Sequence, residues 1–169
     1  MQTIKVGFSK PKTWKPFAKL IMFGYDIPYD HVFVSWHSAN LDRDIIYQAS
    51  STMVNFMSPV VFAANNDVVA QFDVQISDES YKKLVQFAVD NAGVPYGIKE
   101  VVGLILVALA AKLGKTINNP FSDGGTTYVC CELAGVILDD FAGASIAGNQ
   151  DNWTPKTIYD YLVANNHTV

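Results

Sequence analysis

Thr127-Tyr128-Val129-Cys130-Cys131-Glu132-Leu133-Ala134-Gly135-Val136-Ile137-Leu138 is the stretch whose reading decides the fold. Asp123-Gly124-Gly125, a run of turn formers, comes just before it. After it Leu133, Val136, Ile137 and Phe141 recur at helical spacing. The paired cysteines therefore fall where a loop becomes a helix. A thiol there meets the positive end of the macrodipole and the free N–H groups of the first turn. Both favour the thiolate, the nucleophilic form, and the same N–H groups can receive an oxyanion. The plainer reading makes Cys130 and Cys131 small apolar core residues, since free cysteine is often buried and inert. A base supplied from elsewhere in the chain separates the two readings.

His31 is the candidate base. It opens His31-Val32-Phe33-Val34-Ser35-Trp36, a β-branched and aromatic run that reads as a strand. A histidine at the first position of a strand, directly after a loop, can point into a cleft at the sheet's end; the alternative is a structural histidine bonded to the loop aspartate. His37 ends the same strand, so its even spacing puts both imidazoles on one face. The rise along the strand separates them by about 20 Å, too far to share a site. Asn40-Leu41-Asp42-Arg43 makes a turn, and 44–49 returns as the second strand of a hairpin. Counting back across it brings Gln48 near His31. Gln48 can then accept the imidazole's second N–H, as the orienting member of a nucleophile–base–orienter set; the alternative, which spacing alone favours, is a plain surface glutamine.

Composition sets the frame. At 169 residues, half of them hydrophobic and 12% aromatic, the chain has room for a full core, and 1–169 reads as one domain. A net charge of −4 without a long basic run argues against nucleic acid as a partner. The only two cysteines are adjacent, so no disulfide framework is expected. The spacing of the cysteines, His31 and His37 resembles no metal ligand set, and neither a metal nor a cofactor is expected. Residues 1–15 lack an apolar signal-peptide core, which makes cytoplasmic synthesis the default expectation. The run 101–111 is the most apolar; it is too short to span a bilayer and reads as a buried helix, with a membrane-surface or acyl-contact role as the sharper alternative.

The remaining chain reads as follows. Residues 3–8 form a strand, broken by Lys10-Pro11-Lys12. A helix beginning at residue 12 or 13 carries Trp14, Phe17, Ile21 and Met22 on one side, and 24–30 is a loop. Residues 58–64 and 68–76 read as strands joined by an Asn65-Asn66-Asp67 turn. Ser77 or Asp78 caps a helix with Tyr81, Leu84, Val85, Ala88 and Val89 on its apolar side, stopped by Asn91-Ala92-Gly93. Pro95-Tyr96-Gly97 is a turn, 117–125 and 143–152 are loops, and Thr154-Pro155 starts a last helix carrying Ile158, Tyr161 and Leu162.

On these residues the chain resembles the permuted branch of the NlpC/P60 superfamily of papain-like cysteine hydrolases, the YiiX/YebB-like proteins in particular, with lecithin:retinol acyltransferase-like enzymes more distant. Asp30-His31-Val32-Phe33-Val34 resembles the branch's His strand, and Tyr128-Val129-Cys130-Cys131-Glu132-Leu133 its Cys-x-Glu-Leu helix start. Gly93-Val94-Pro95-Tyr96 and Thr154-Pro155 resemble smaller motifs of the same group. The resemblance implies an α+β fold of permuted papain-like type, an antiparallel sheet packed against helices with the nucleophile at a helix N-terminus. It implies Cys130 as nucleophile, His31 as base and Gln48 as the third polar residue, with Tyr128, Tyr96 and Cys131 as substrate contacts. The second cysteine leaves the choice between Cys130 and Cys131 open, and 98–113 departs from the pattern as an elaboration.

The leading expectation is a thiol hydrolase cleaving an amide or isopeptide, such as a peptidoglycan peptide, of bacterial or phage origin. A phage-encoded chain could also act in the virion or after delivery into a host. The rivals are an acyl hydrolase or acyltransferase that contacts a membrane surface through 101–111, and a binding or structural protein that keeps the fold without turnover.

Overall fold

A computed structural model describes residues 1–50, 52–121 and 126–165. Asp123-Gly124-Gly125, the turn expected before the cysteines, lies outside them. The architecture is α+β. Among the described residues a five-stranded sheet forms, in which every neighbouring pair is antiparallel and the order is β4-β3-β2-β1-β5. Its strands are β1 (Gln2–Pro11), β2 (His31–Ser38), β3 (Arg43–Ser50), β4 (Met53–Met57) and β5 (Asn66–Ile76). Six α-helices accompany it: α1 (Pro16–Tyr25), α2 (Pro59–Asn65), α3 (Asp78–Asp90), α4 (Ile98–Lys112), α5 (Cys130–Ala142) and α6 (Pro155–Ala164).

Alternation along the strands sorts the two faces of the sheet. Ile4, Val6, Phe8, Val34, Phe72 and Val74 point into the main core, where Leu84 of α3, Leu133 and Ile137 of α5 and Ile158 of α6 meet them. Each such fully buried aliphatic side chain contributes about 2 kcal/mol. The opposite face carries Phe33 and Ile46, covered by Phe62 of α2. His31 and Gln48 have the same parity as Phe33 and Ile46, so both lie on that second face.

α5 sits against β2 and β3 as its apolar spacing requires, with every residue from Cys130 to Leu138 buried. Gly135 is needed for close packing: a methyl there would overlap the ring of Trp153. Val129 is the N-cap and has no side-chain acceptor; Glu132, three residues on, reaches back so that its Oε2 accepts from the Val129 N–H at 3.4 Å. α6 begins as expected, with Thr154 Oγ1 accepting from the Thr157 N–H at 3.0 Å and Pro155 in the first turn.

Several expectations are corrected. Residues 59–65 form a helix, not a strand: Ser58 Oγ accepts from the Val60 N–H and Pro59 occupies the first turn, so a cap and a preset φ outweigh the β-branched pair Val60-Val61. The strand in that region is β4, one segment earlier. Asn66 and Asp67, expected in a turn, open β5, and β1 runs on to Pro11 through an irregularity at Phe8/Ser9. α1 starts at Pro16, not at residue 12 or 13, so Trp14 lies before the helix, 75% exposed, and Phe17 in its first turn is 55% exposed. It also runs through Gly24, whose missing side chain lets the helix lie against Ala108 of α4. Val89 is exposed, although α3 buries Leu84 and Ala88 as expected. The 143–152 loop contains one 3-10 turn, Gln150–Asn152.

Among the described residues no helix is long and apolar enough to cross a membrane. α4 turns Val101, Leu104, Ile105 and Ala108 inward, and Leu106 is the only large apolar residue of 101–111 that is exposed. The apolar run is thus an enclosed helix, with Tyr25 of α1 donating to the Leu104 carbonyl at 2.7 Å.

Candidate active site

The hairpin delivers Gln48 to His31. In the β2–β3 register Val34 faces Tyr47, which sets Gln48 diagonal to His31 on the same face. The imidazole Nε2 and Gln48 Oε1 are 2.7 Å apart, and as Gln48 offers an acceptor there, Nε2 is the donor. Gln48 is 3% exposed. Its amide nitrogen donates to Asn55 Oδ1 of β4 at 3.4 Å and lies 3.6 Å from Met57 Sδ. Nδ1 is left for the partner on the other side of the ring.

That partner is Cys130. The His31 ring and the Val32 backbone both act on its thiol, and the thiol acts on the ring in turn. Cys130 is the first residue of α5 and 6% exposed. Its acidity is raised well above that of an ordinary thiol. The causes are the hydrogen bond from Cys131, which together with those from His31 and Val32 and the nearby imidazolium charge outweighs burial. His31 moves the opposite way. Burial favours its neutral form, but the bond and charge of Cys130, the bond to Gln48 and the Asp30 carboxylate together raise its pKa. The two shifts, thiol down and imidazole up, both favour the charged forms of the pair.

Cys131 is not equivalent. It is 1% exposed, and its thiol sits 3.0 Å from the Trp153 carbonyl oxygen. Its S–H donates to that carbonyl. Interaction with Cys130 and burial push the Cys131 thiol well up. Cys131 was expected to touch substrate. Both thiols line an inner pocket of about 20 Å3, and neither lines the larger cavity beside it.

Tyr96 is brought in by non-local pairing. Its N–H donates to the Thr52 carbonyl at 2.9 Å, the Gly97 N–H to the Tyr128 carbonyl at 3.1 Å, and the Tyr128 N–H to the Pro95 carbonyl at 3.2 Å. The segment is thereby clipped both to β4 and to the approach to α5. Burial first, then the charges of Cys130, Cys131 and Asp30 and a hydrogen bond to Cys130, raise the Tyr96 phenol far above its usual range. Tyr96 lines the inner pocket together with Cys130. Tyr128, also expected to touch substrate, lines neither the inner pocket nor the cavity over His31. Its ring packs toward Phe87, and its backbone is what holds Tyr96.

Asp30 completes the cluster, and sequence reasoning gave it no chemical role. Burial pushes its carboxyl up to about 6, against the lowering charge of His31, and the Cys130 charge adds to the rise. Its Oδ1 is buried without a hydrogen-bond partner. The signal available in the sequence was its position directly before His31. Glu100, 3% exposed on α4, is a second buried acid; its Oε2 accepts from Thr127 Oγ1 at 3.3 Å and ties α4 to the segment leading into the cysteines. His37 lies apart, its Nδ1 3.1 Å from Asp44 Oδ1 on the exposed end of the hairpin.

A cavity of about 560 Å3 opens over His31, Gln48, Asp30 and Tyr96. Phe17, Ile21, Met57, Ile98 and Val101 give it an apolar wall. This volume is in the range of small-molecule sites. Among the described residues no group of three or more His, Cys, Asp or Glu side chains is arranged to hold a metal ion.

Fold and site define an α+β protein with a cysteine at a helix N-terminus, paired with a glutamine-anchored histidine beneath an apolar cavity. No family model matches the chain, and no curated protein matches its sequence.

Proposed function

We propose that the chain is a cysteine hydrolase of permuted papain-like type, with Cys130 as nucleophile, His31 as acid–base and Gln48 as orienting residue. The observation that carries this reading is His31, bonded to Gln48 at 2.7 Å, beside a cysteine at a helix start whose sulfur is close enough for the two charges to act on each other. The order along the chain, histidine strand before cysteine helix, agrees with the permuted topology.

In the proposed reaction the Cys130 thiolate attacks the carbonyl carbon of an amide or ester. Negative charge passes from sulfur to the carbonyl oxygen. The Cys130 backbone N–H at the start of α5 and the Tyr96 hydroxyl, already beside the sulfur, are the donors for it. His31 gives its proton to the leaving nitrogen or oxygen as the carbon–heteroatom bond breaks, leaving a thioester on Cys130. A water then attacks that carbonyl while His31 takes its proton. The acid departs and the thiolate–imidazolium pair returns. Gln48 holds the ring throughout by accepting from Nε2.

The apolar wall of the cavity favours a substrate whose acyl or side-chain portion is hydrophobic, so hydrolysis of an acyl ester or amide is the second reading beside a peptide bond. A chloroacetamide probe followed by intact-mass analysis tests the nucleophile. Cys130→Ala removes labelling and Cys131→Ala retains it; the reverse pattern overturns the assignment. Alkylation that requires the pH of an ordinary free thiol would favour a protein that keeps the fold without turnover. A series of acyl p-nitrophenyl esters and short peptides separates the two substrate readings.

A further inference from the structure

The outer face of α1 is unusual for a helix on a protein surface. Trp14, just before it, is 75% exposed, and Phe17, Leu20 and Phe23 follow at three-residue spacing, 55%, 42% and 65% exposed. Leu113 at the end of α4 is 77% exposed. The two helix ends are joined, since the Lys112 ammonium stands 4.6 Å from the Phe23 ring centre. A contiguous apolar surface of this kind on a soluble face marks a docking site.

Its charge says what docks. Lys15 and Lys19 flank the stripe on α1, and Lys112 and Lys115 flank it at the end of α4. Residues 9–25 contain no acid, and 98–121 contain only Glu100, which is buried. These two segments hold seven of the twelve basic residues and one of the sixteen acids. In a chain of net charge −4 this is a strong local reversal. Aromatic and aliphatic side chains ringed by lysines match a surface with apolar depth and negative headgroups. An acidic protein partner would meet the lysines but would not call for so exposed a tryptophan and Phe23 outside any pocket.

We infer that the α1 face, with the end of α4, docks on an anionic phospholipid surface. Lys15, Pro16 and Phe17 are both exposed and part of the wall of the 560 Å3 cavity, so docking there brings the cavity's rim to the lipid. The surface is defined by exposure and charge alone and stands apart from the chemistry at Cys130.

The test is flotation of the full chain with vesicles of phosphatidylcholine alone or mixed with phosphatidylglycerol. Binding is expected to the mixed vesicles at low salt and to be lost at about 0.5 M salt, where screening is nearly complete at contact distances. Lys19→Glu with Lys115→Glu should weaken partitioning by about 25-fold or more, at about fivefold for each lysine removed. Leu20→Ser with Phe23→Ser should weaken it by about tenfold or more per residue. None of these four residues lines the cavity, so labelling of Cys130 by a soluble probe should be unchanged and reports that each variant is folded. No binding to the mixed vesicles at low salt overturns the inference, as does binding that both variants retain. Absence of vesicle binding together with dimers lost in the Leu20/Phe23 variant would assign the face to a second copy of the chain and also overturn it.

Discussion

Replacing Gln48 with leucine should make His31 a weaker base and Cys130 a weaker acid, and the size of the change follows from the geometry. Gln48 Oε1 accepts from the imidazole at 2.7 Å in a site where the glutamine is 3% exposed. A hydrogen bond to a charged donor is worth about 1.5–3 kcal/mol, and 1.36 kcal/mol is about one pKa unit. Loss of the acceptor should therefore lower the His31 pKa by about one to two units. The other side of Gln48 is held loosely, at 3.4 Å to Asn55 and 3.6 Å to Met57 sulfur, so the effect falls chiefly on the imidazole. Since thiolate and imidazolium titrate as a pair, the observable is the pair's pH profile. The rate of iodoacetamide alkylation, measured from about pH 4 to 10 with the label assigned to Cys130 by tandem mass spectrometry, reads it. In the native chain reactivity should begin well below the ordinary thiol range. In Gln48→Leu the thiolate held by the imidazolium should give way to the neutral pair, slowing labelling at neutral pH by about tenfold or more. Gln48→Glu should shift the profile oppositely, because a carboxylate holds the imidazolium charge. Superimposable profiles for all three chains, each with a native melting transition, would refute the idea that Gln48 sets the protonation of His31.

Cys131→Ala removes the neighbour that most favours the Cys130 thiolate, so acid-side alkylation should fall about tenfold, while Cys131→Ser should restore most of it; equal profiles would show that the second thiol is inert. Asp30 carries a raised pKa, so it favours the fold fully below pH about 4 and loses that contribution as pH rises through about 6. Asp30→Asn should accordingly stabilise the protein by about 2 kcal/mol at pH 8 and by little at pH 4, a difference that denaturant unfolding at the two pH values checks. Gly135→Ala drives a methyl into the Trp153 ring and should cost about 2 kcal/mol, lowering the melting temperature by roughly 5 °C; an unchanged transition would mean that α5 and the α6 approach are less tightly packed than described.

The elements that were legible in sequence are those whose cause is local. α5 and α6 announce themselves by apolar spacing and by Thr154-Pro155, and the β2–β3 hairpin follows from two β-rich runs around Asn40–Arg43. From that hairpin alone Gln48 could be counted back to His31, which is why the imidazole's orienting partner was found. Tyr96 and Asp30 are different. Tyr96 meets the sulfur only because 93–97 is clipped to Thr52, Val54 and Tyr128, contacts that no local pattern carries. The role of Asp30 depends on burial, which only the assembled fold sets. In 58–64 two valines and a phenylalanine spoke for a strand while Ser58-Pro59 spoke for a helix start, and the cap prevailed.

The misreading of α1 is of another kind and is the most informative. Apolar residues at helical spacing are normally an inward face. Here Ala18, Ile21 and Gly24 already fill the contact with α4, the cavity and the core, and among the described residues no element covers the opposite side, where Phe17, Leu20 and Phe23 remain exposed. A helix apolar on both sides, one packed and one bare, needs a second apolar medium to satisfy it. The lysines that ring the bare side, in a chain otherwise acidic, give that medium a negative charge, and Phe17 belongs at once to the bare side and to the cavity wall above His31. Exposure on the helix and apolarity in the cavity are thus two aspects of one surface.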